Sequence, residues 1–174
     1  MISLVFDSET TGLPLPSSAP LDKQPRIIEL SIARIEDGKI ISEHSWLIDP
    51  ECSLTAEITK ITGLTDADLT GKPKFRELIS EIEQAFAGAD QLIAHNAPFD
   101  VGLLKFELAR IGKADFTWPK QTVCTVQEYL HEKGRRLKLT ELYKMKIGNE
   151  LKQTHRAMDD VRALCEIVIK EGLA

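Results

Sequence analysis

The sequence predicts an α/β fold, a mixed β-sheet flanked by helices, and three observations carry that prediction. Segments rich in β-branched residues cluster in the first fifty positions, and helical and strand patterns alternate after them. No repeat or linker divides the 174 residues, so one domain over 1–174 is expected.

The first strand is "ISLVFD", short and apolar. "RIIELSIARIE" and "KIISEHSWLID" follow, joined by Asp37-Gly38, a hairpin turn signal that makes them antiparallel neighbours. Between the first strand and the second lies "LPLPSSAPLDKQP", a proline-rich connector. In "KFRELISEIEQAFAGA" the residues Phe75, Leu78, Ile79, Ile82 and Phe86 share one helical face. "QLIAHN" is a short buried strand, and "APFDVGLLKFELARIG" a helix with Pro98 in its first turn and Gly112 past its end. A weaker strand at "QTVCTV" precedes two short helices, "VQEYLHEKG" and "LTELYKMKIG", and a last helix runs from about Arg156 to Glu171.

The net charge of −5 argues against non-specific clamping of long duplex DNA but leaves room for an enzyme that holds a short end locally. Basic residues cluster once, at Lys133, Arg135, Arg136 and Lys138, as a solvated loop or a rim that contacts phosphates. Three scattered cysteines without CxxC spacing read as reduced thiols of a cytoplasmic protein, and no run is long enough for a membrane span.

The chemistry begins at the end of the first strand. Asp7 and Glu9 are two apart, so in a strand both carboxylates point the same way, where they repel. Asp100 shares a helical face with Leu104, Leu108 and Ile111, and Asp160 shares one with Ala157, Leu164 and Ile167. Taken singly, either fits a capping or ion-paired acid. Four acids aimed at one interior, with no buried base in evidence, call for cations, and oxygen-only ligands select Mg²⁺ or Mn²⁺ over zinc. Acids around two such ions are the machinery of phosphoryl-ester hydrolysis, in which the ions lower the pKa of an attacking water and stabilise the developing charge. His155 precedes Asp160 by five positions, roughly 500° around a helix, so it serves the same centre only from the loop before the helix, as a proton acceptor. The adjacent Asp159 falls on the wet face, where Arg156 and Arg162 are expected to offset it.

"DSETTGL", "AHNAPFD" and "HRAMDD" together resemble the three motifs of the DEDDh 3′→5′ exonuclease superfamily, in order and spacing, over nearly the whole chain. The likeness is greatest to the proofreading branch typified by the epsilon subunit of bacterial DNA polymerase III. The resemblance implies a ribonuclease-H-like fold and 3′→5′ hydrolysis to nucleoside 5′-monophosphates with two Mg²⁺ or Mn²⁺ ions. By position it makes Asp7, Glu9, Asp100 and Asp160 the metal-binding acids and His155 the general base. Thr10, Thr11, Gly12 and Leu13 would line the terminal nucleotide, with Leu13 wedged against a base, and His95, Asn96 and Phe99 would lie along the same pocket. Ser8 stands where the family usually has Thr, and Thr62 where relatives often carry histidine, in a loop expected to contact substrate. The proline-rich segment is longer than usual. The chain stops at Ala174 without a polymerase-binding tail, which leads to the expectation of a free-standing exonuclease or one recruited through its surface, by a polymerase or another replication or repair protein. Single-stranded DNA ends are the first substrate expected and RNA or short oligoribonucleotides the alternative. A non-enzymatic module is disfavoured because all five motif positions are intact.

Overall fold

Strand β1 (Ile2–Thr10) runs through the middle of a five-stranded sheet ordered β3-β2-β1-β4-β5 in a computed structural model that describes residues 1–174. On one side it pairs antiparallel with β2 (Ile27–Glu36), which pairs antiparallel with β3 (Lys39–Leu47). On the other side β4 (Gln91–Ala94) and β5 (Gln121–Cys124) are parallel to it. The β2–β3 turn has Asp37 at φ 50° and Gly38 at φ 71°. Two consecutive left-handed residues are what a tight hairpin with right-twisted strands needs. The parallel strands require crossovers, and helices supply them.

Alternate residues of β1 feed two layers. Leu4 and Phe6 pack with Leu78, Ile82 and Phe86 of α3 (Phe75–Phe86) and with Leu104 and Leu108 of α4 (Ala97–Arg110). Val5 faces the other way, toward Val161, Leu164 and Val168 of α8 (Ala157–Lys170) and Leu142 of α7 (Leu139–Ile147). Each such fully buried aliphatic side chain contributes on the order of 1.5–3 kcal/mol. The sheet with its two helical layers matches the expected mixed, ribonuclease-H-like α/β architecture.

Three features depart from the sequence reading. The stretch after β3 contains two short helices, α1 (Ala56–Thr62) and α2 (Asp66–Leu69), which nothing in the apolar periodicity announced. Threonine caps start both: the Thr55 hydroxyl accepts from Ile58 N, and Thr65 and Asp68 form a reciprocal capping box. The helix expected over "VQEYLHEKG" is broken at Tyr129 into α5 (Thr125–Glu128) and α6 (Leu130–Lys133). The proline-rich connector, expected as plain loop, contains a short 3-10 helix (Leu21–Lys23) and is tied down. Arg110 Nη2 donates to the carbonyls of Leu21, Gln24 and Pro25, and the Gln24 side chain bonds Leu15 and Pro16. No helix is long and apolar enough to cross a membrane.

Candidate active site

The period of two that aligns Asp7 with Glu9 also puts both on the Val5 side of β1, under α8. The register with β2 shifts between Glu9 and Thr10, a bulge that ends the regular strand where the acids sit. Asp100 and Asp160 lie in the first turns of α4 and α8. A helix N-terminus carries partial positive charge, so both carboxylates occupy the end of their helix that tolerates an anion. Asp100 is drawn to β1 by Ser8, whose hydroxyl and backbone N–H donate to Asp100 Oδ1 at 2.6 and 3.1 Å. Asp160 accepts from Gln153 Nε2 at 2.7 Å. All four acids line one open cavity of about 500 Å³, together with His95, Phe99, Lys138, Gln153 and His155.

Burial pushes every one of these acids up, and neighbouring carboxylates add to it at Asp7, Glu9 and Asp160. Asp7 rises well above the usual carboxylate range, first by desolvation and then by Asp100, Asp160, Glu9 and Glu29. Desolvation, then Asp160 and Glu29, pushes Glu9 up to about 8, with Arg156 a partial offset. Asp100 goes up to about 7 because its burial outweighs the two hydrogen bonds from Ser8. Asp160 is raised by burial, against the pull of Gln153 and His155. No lysine or arginine is in ion-pair contact with any of the four.

His155 sits outside the helix, as the spacing required. Its φ of 53° is left-handed, and the chain turns there so that Arg156 begins α8. Ligand-capable atoms of Glu9, His155 and Asp160 all lie within 4.8 Å of one another. The donor set is one imidazole and carboxylate oxygens crowded beyond their ordinary ionisation, which fits hard divalent cations. Asp159 is exposed on the outer face and accepts from Thr154 Oγ1 at 2.7 Å. Arg156 and Arg162 do offset the charge of Asp159 through space, but neither is in direct contact with it. Arg156 instead pairs with Glu29 of β2 and Arg162 with Glu43 of β3, because the sheet presents buried or better-aligned carboxylates across the layer.

A second cavity of about 530 Å³ adjoins the first and shares Ser8, Glu9 and Phe99 with it. Thr10, Thr11, Gly12, Leu13 and Thr62 line it, facing Ile58 and Ile61 of α1. Thr10 Oγ1 bonds within the turn to Gly12, Thr11 Oγ1 accepts from Arg26 N, and Leu13 is 78% exposed at the rim. The Thr62 hydroxyl is internal, donating to Ile58 O and accepting from Leu64 N. His95 lines the acidic cavity but is engaged on both ring nitrogens. Nε2 donates to Leu137 O, Nδ1 meets Thr125 Oγ1, and burial holds its pKa below the ordinary value. Asn96 does not line either cavity; it accepts from Arg136 at 2.6 Å beside a different hollow. In the basic segment Arg135 is paired with Glu141, whereas Lys138 lines the acidic cavity. Sequence reasoning missed Ser8, Ile58, Ile61 and Gln153 as site residues, and Glu29 as the buried acid beside them.

Comparison with known proteins then decides the kinship. The RNase_T family model, described as an exonuclease, matches residues 4–168. The chain belongs to the RNase_T exonuclease family. Recognition from the motifs as an exonuclease is borne out by that match. Among curated relatives, the PolC-type DNA polymerase III of Clostridium perfringens is 33% identical over 165 residues, which cover 95% of this chain but 11% of that protein. The DNA polymerase III subunit epsilon of Treponema pallidum is 32% identical over 163 residues, 93% of this chain and 72% of the relative. The chain thus spans about a tenth of the PolC-type polymerases and most of the epsilon subunit. Two solved structures share its fold. The nuclease domain of 3′hExo, a DEDDh family member, bound to rAMP, superposes with a TM-score of 0.77 at 15% identity, covering 99% of this chain and 92% of that one. Exonuclease X in complex with 5′ overhanging duplex DNA gives 0.69 at 22% identity, covering 98% and 92%.

Proposed function

We propose that this domain removes nucleotides from the 3′ end of single-stranded DNA as nucleoside 5′-monophosphates, by a two-metal mechanism with His155 as general base. The observation that carries the proposal is the convergence of Asp7, Glu9, Asp100 and Asp160, all pushed up by burial, on one open cavity with an imidazole at its edge. Two Mg²⁺ or Mn²⁺ ions held by these acids would lower the pKa of the attacking water and stabilise the charge that develops on the phosphoryl oxygens.

The chain's own groups divide the remaining work. His155 accepts the proton of the attacking water at an imidazole nitrogen, from a position within reach of Glu9 and Asp160. Ser8 holds Asp100 by its hydroxyl and backbone N–H, and Gln153 holds Asp160. The adjoining cavity takes the terminal nucleoside, with Ile58, Ile61, Leu13 and Phe99 as its apolar surfaces. Lys138, at the edge of the acidic cavity, offers its ammonium to a phosphate of the strand.

DNA is favoured as substrate because the curated relatives named above are DNA polymerase proteins, which also suggests association with a polymerase. RNA is the second reading, favoured by the one observation that a structural neighbour is bound to rAMP. Three free cysteines fit the reducing cytoplasm. Incubation of 5′-labelled DNA and RNA oligonucleotides of one sequence with the protein and Mg²⁺, resolved on a gel, tests the reading. DNA shortened at least as fast as RNA supports it, and RNA-only degradation replaces DNA with RNA as the substrate.

A further inference from the structure

Glu29 is a fifth buried acid beside the site, and the chemistry above does not use it. It stands directly across from Glu9 in the β1–β2 register, is 2% exposed, and lines neither cavity of the site. A carboxylate there adds to the repulsion felt by Asp7, Glu9 and Asp160. A position held only for packing would be better filled by an apolar side chain.

The partners of Glu29 show what it holds. Arg156 Nε and Nη2 donate to its two oxygens at 3.0 and 2.9 Å, a fork-on-fork pair that fixes orientation as well as distance. Ala157 N donates to the same carboxylate at 3.2 Å. Helix α8 has no side-chain cap of its own at Arg156, so a residue of β2 satisfies its first turn from 128 positions away. Arg156 lies between His155, which turns through the left-handed region, and the helical turn that carries Asp160. No hydrogen bond holds the His155 imidazole itself, whereas the chain on both sides is held: Thr154 by Asp159 and Arg156 by Glu29.

We propose that Glu29 and Arg156 are a positioning pair, with the buried carboxylate fixing where the loop enters α8 and thereby setting His155 and Asp160 against Glu9. This inference rests on the exonuclease reading for its activity consequences only. Neither residue lines a cavity of the site. The pair determines the proton acceptor's place from behind, as second-layer partners do at metal sites generally.

The test uses the full chain with Glu29→Gln, Arg156→Lys and the neutral double variant Glu29→Gln/Arg156→Met. Thermal melts report folding, steady-state kinetics on a DNA oligonucleotide separate kcat from KM, and Mn²⁺ titration reads the Asp160 side. Imidazole ¹H–¹³C spectra read the other side, because the protein has four histidines. Glu29→Gln is expected to lower kcat by ~10–100-fold, with KM within about twofold, to weaken Mn²⁺ binding and to shift the His155 resonance while His44, His95 and His131 stay in place. Arg156→Lys, which keeps the charge and loses the fork, is expected to fall between Glu29→Gln and the wild type. The double variant removes the guanidinium that Glu29→Gln leaves without its partner, so it should regain thermal stability without regaining kcat. If kcat returns with stability, the pair is merely structural and the inference is overturned. A folded Glu29→Gln protein with unchanged kcat and an unmoved His155 signal overturns it too. A wild-type protein with no nuclease activity would defeat the functional reading instead, and the His155 shift and Mn²⁺ affinity would still decide the positioning claim.

Discussion

Raising the pH should destabilise the metal-free protein and sensitise it to Mg²⁺. The sign follows from the direction of the shifts. An acid whose folded pKa lies above its unfolded value binds its proton more tightly when folded, so its contribution is full below the unfolded pKa and is lost as pH rises through the folded one. For Glu9 the window runs from 4.5 to about 8. At 1.36 kcal/mol per pKa unit the whole window is worth about 5 kcal/mol, a large share of a typical 5–15 kcal/mol. Asp7, Asp100 and Asp160 move the same way, but they share one repulsion with Glu9, so their contributions are not summed. His95 works oppositely below its ordinary value of 6.5, because burial disfavours its charged form. Between about pH 6.5 and 8.5 that opposition is over, and Glu9 alone accounts for about 2 kcal/mol. At ~2–4 °C per kcal/mol for a chain of this size, the melting temperature in EDTA should fall by about 4–8 °C. Mg²⁺ at about 100 times its Kd should return about 2.7 kcal/mol at the upper pH and less at the lower, where protons compete. Scanning calorimetry at both pH values, with EDTA or Mg²⁺, makes the measurement. A melting temperature that is flat or rising from about 6.5 to 8.5 in EDTA would refute the unneutralised cluster.

Three further outcomes follow from the site. His155→Ala should lower kcat by ~10²–10⁴-fold, with Mn²⁺ binding measured by titration largely retained; an unchanged rate returns His155 to the surface. Asp160→Asn should abolish most activity, whereas Asp159→Asn, on the outer face and bonded only to Thr154, should cost less than a few-fold in the same assay. Lys138→Ala combined with Arg136→Ala should weaken oligonucleotide binding and flatten its dependence on salt, while Arg135→Ala, already paired with Glu141, should leave that slope alone.

The sequence made the four site acids legible because each breaks a strong local pattern. Asp7 and Glu9 share a strand face, and Asp100 and Asp160 interrupt apolar stripes that pack on the sheet. His155 was placed correctly by exclusion, since the helical period forbade it a helical seat beside Asp160. Glu29 was hidden because both faces of β2 are buried, leaving no alternation for an acid to violate, and its partner Arg156 is 127 positions away. The same long-range pairing was hidden beside Asp159: Arg156 and Arg162 offset it through space as their helix neighbours suggested, but their direct partners are carboxylates of the sheet. Helices α1 and α2 are too short to show a period, so the apolar wall of Ile58 and Ile61 was invisible, although the Thr65–Asp68 capping box was there to be seen. Ser8 was read only as a departure from the family's usual Thr, yet its face of β1 is where α4 brings Asp100 to meet it.

The most direct test of the central claim is the polarity and cation requirement of hydrolysis on one oligonucleotide. A 5′-labelled single strand, one copy with a free 3′-hydroxyl and one with a blocked 3′ end, is incubated with the protein in Mg²⁺ or in EDTA. The account predicts a ladder shortening from the free 3′ end, nucleoside 5′-monophosphates as products, and no cleavage of the blocked strand or in EDTA. Cleavage that persists in EDTA, or that starts as well on the blocked end, would contradict it.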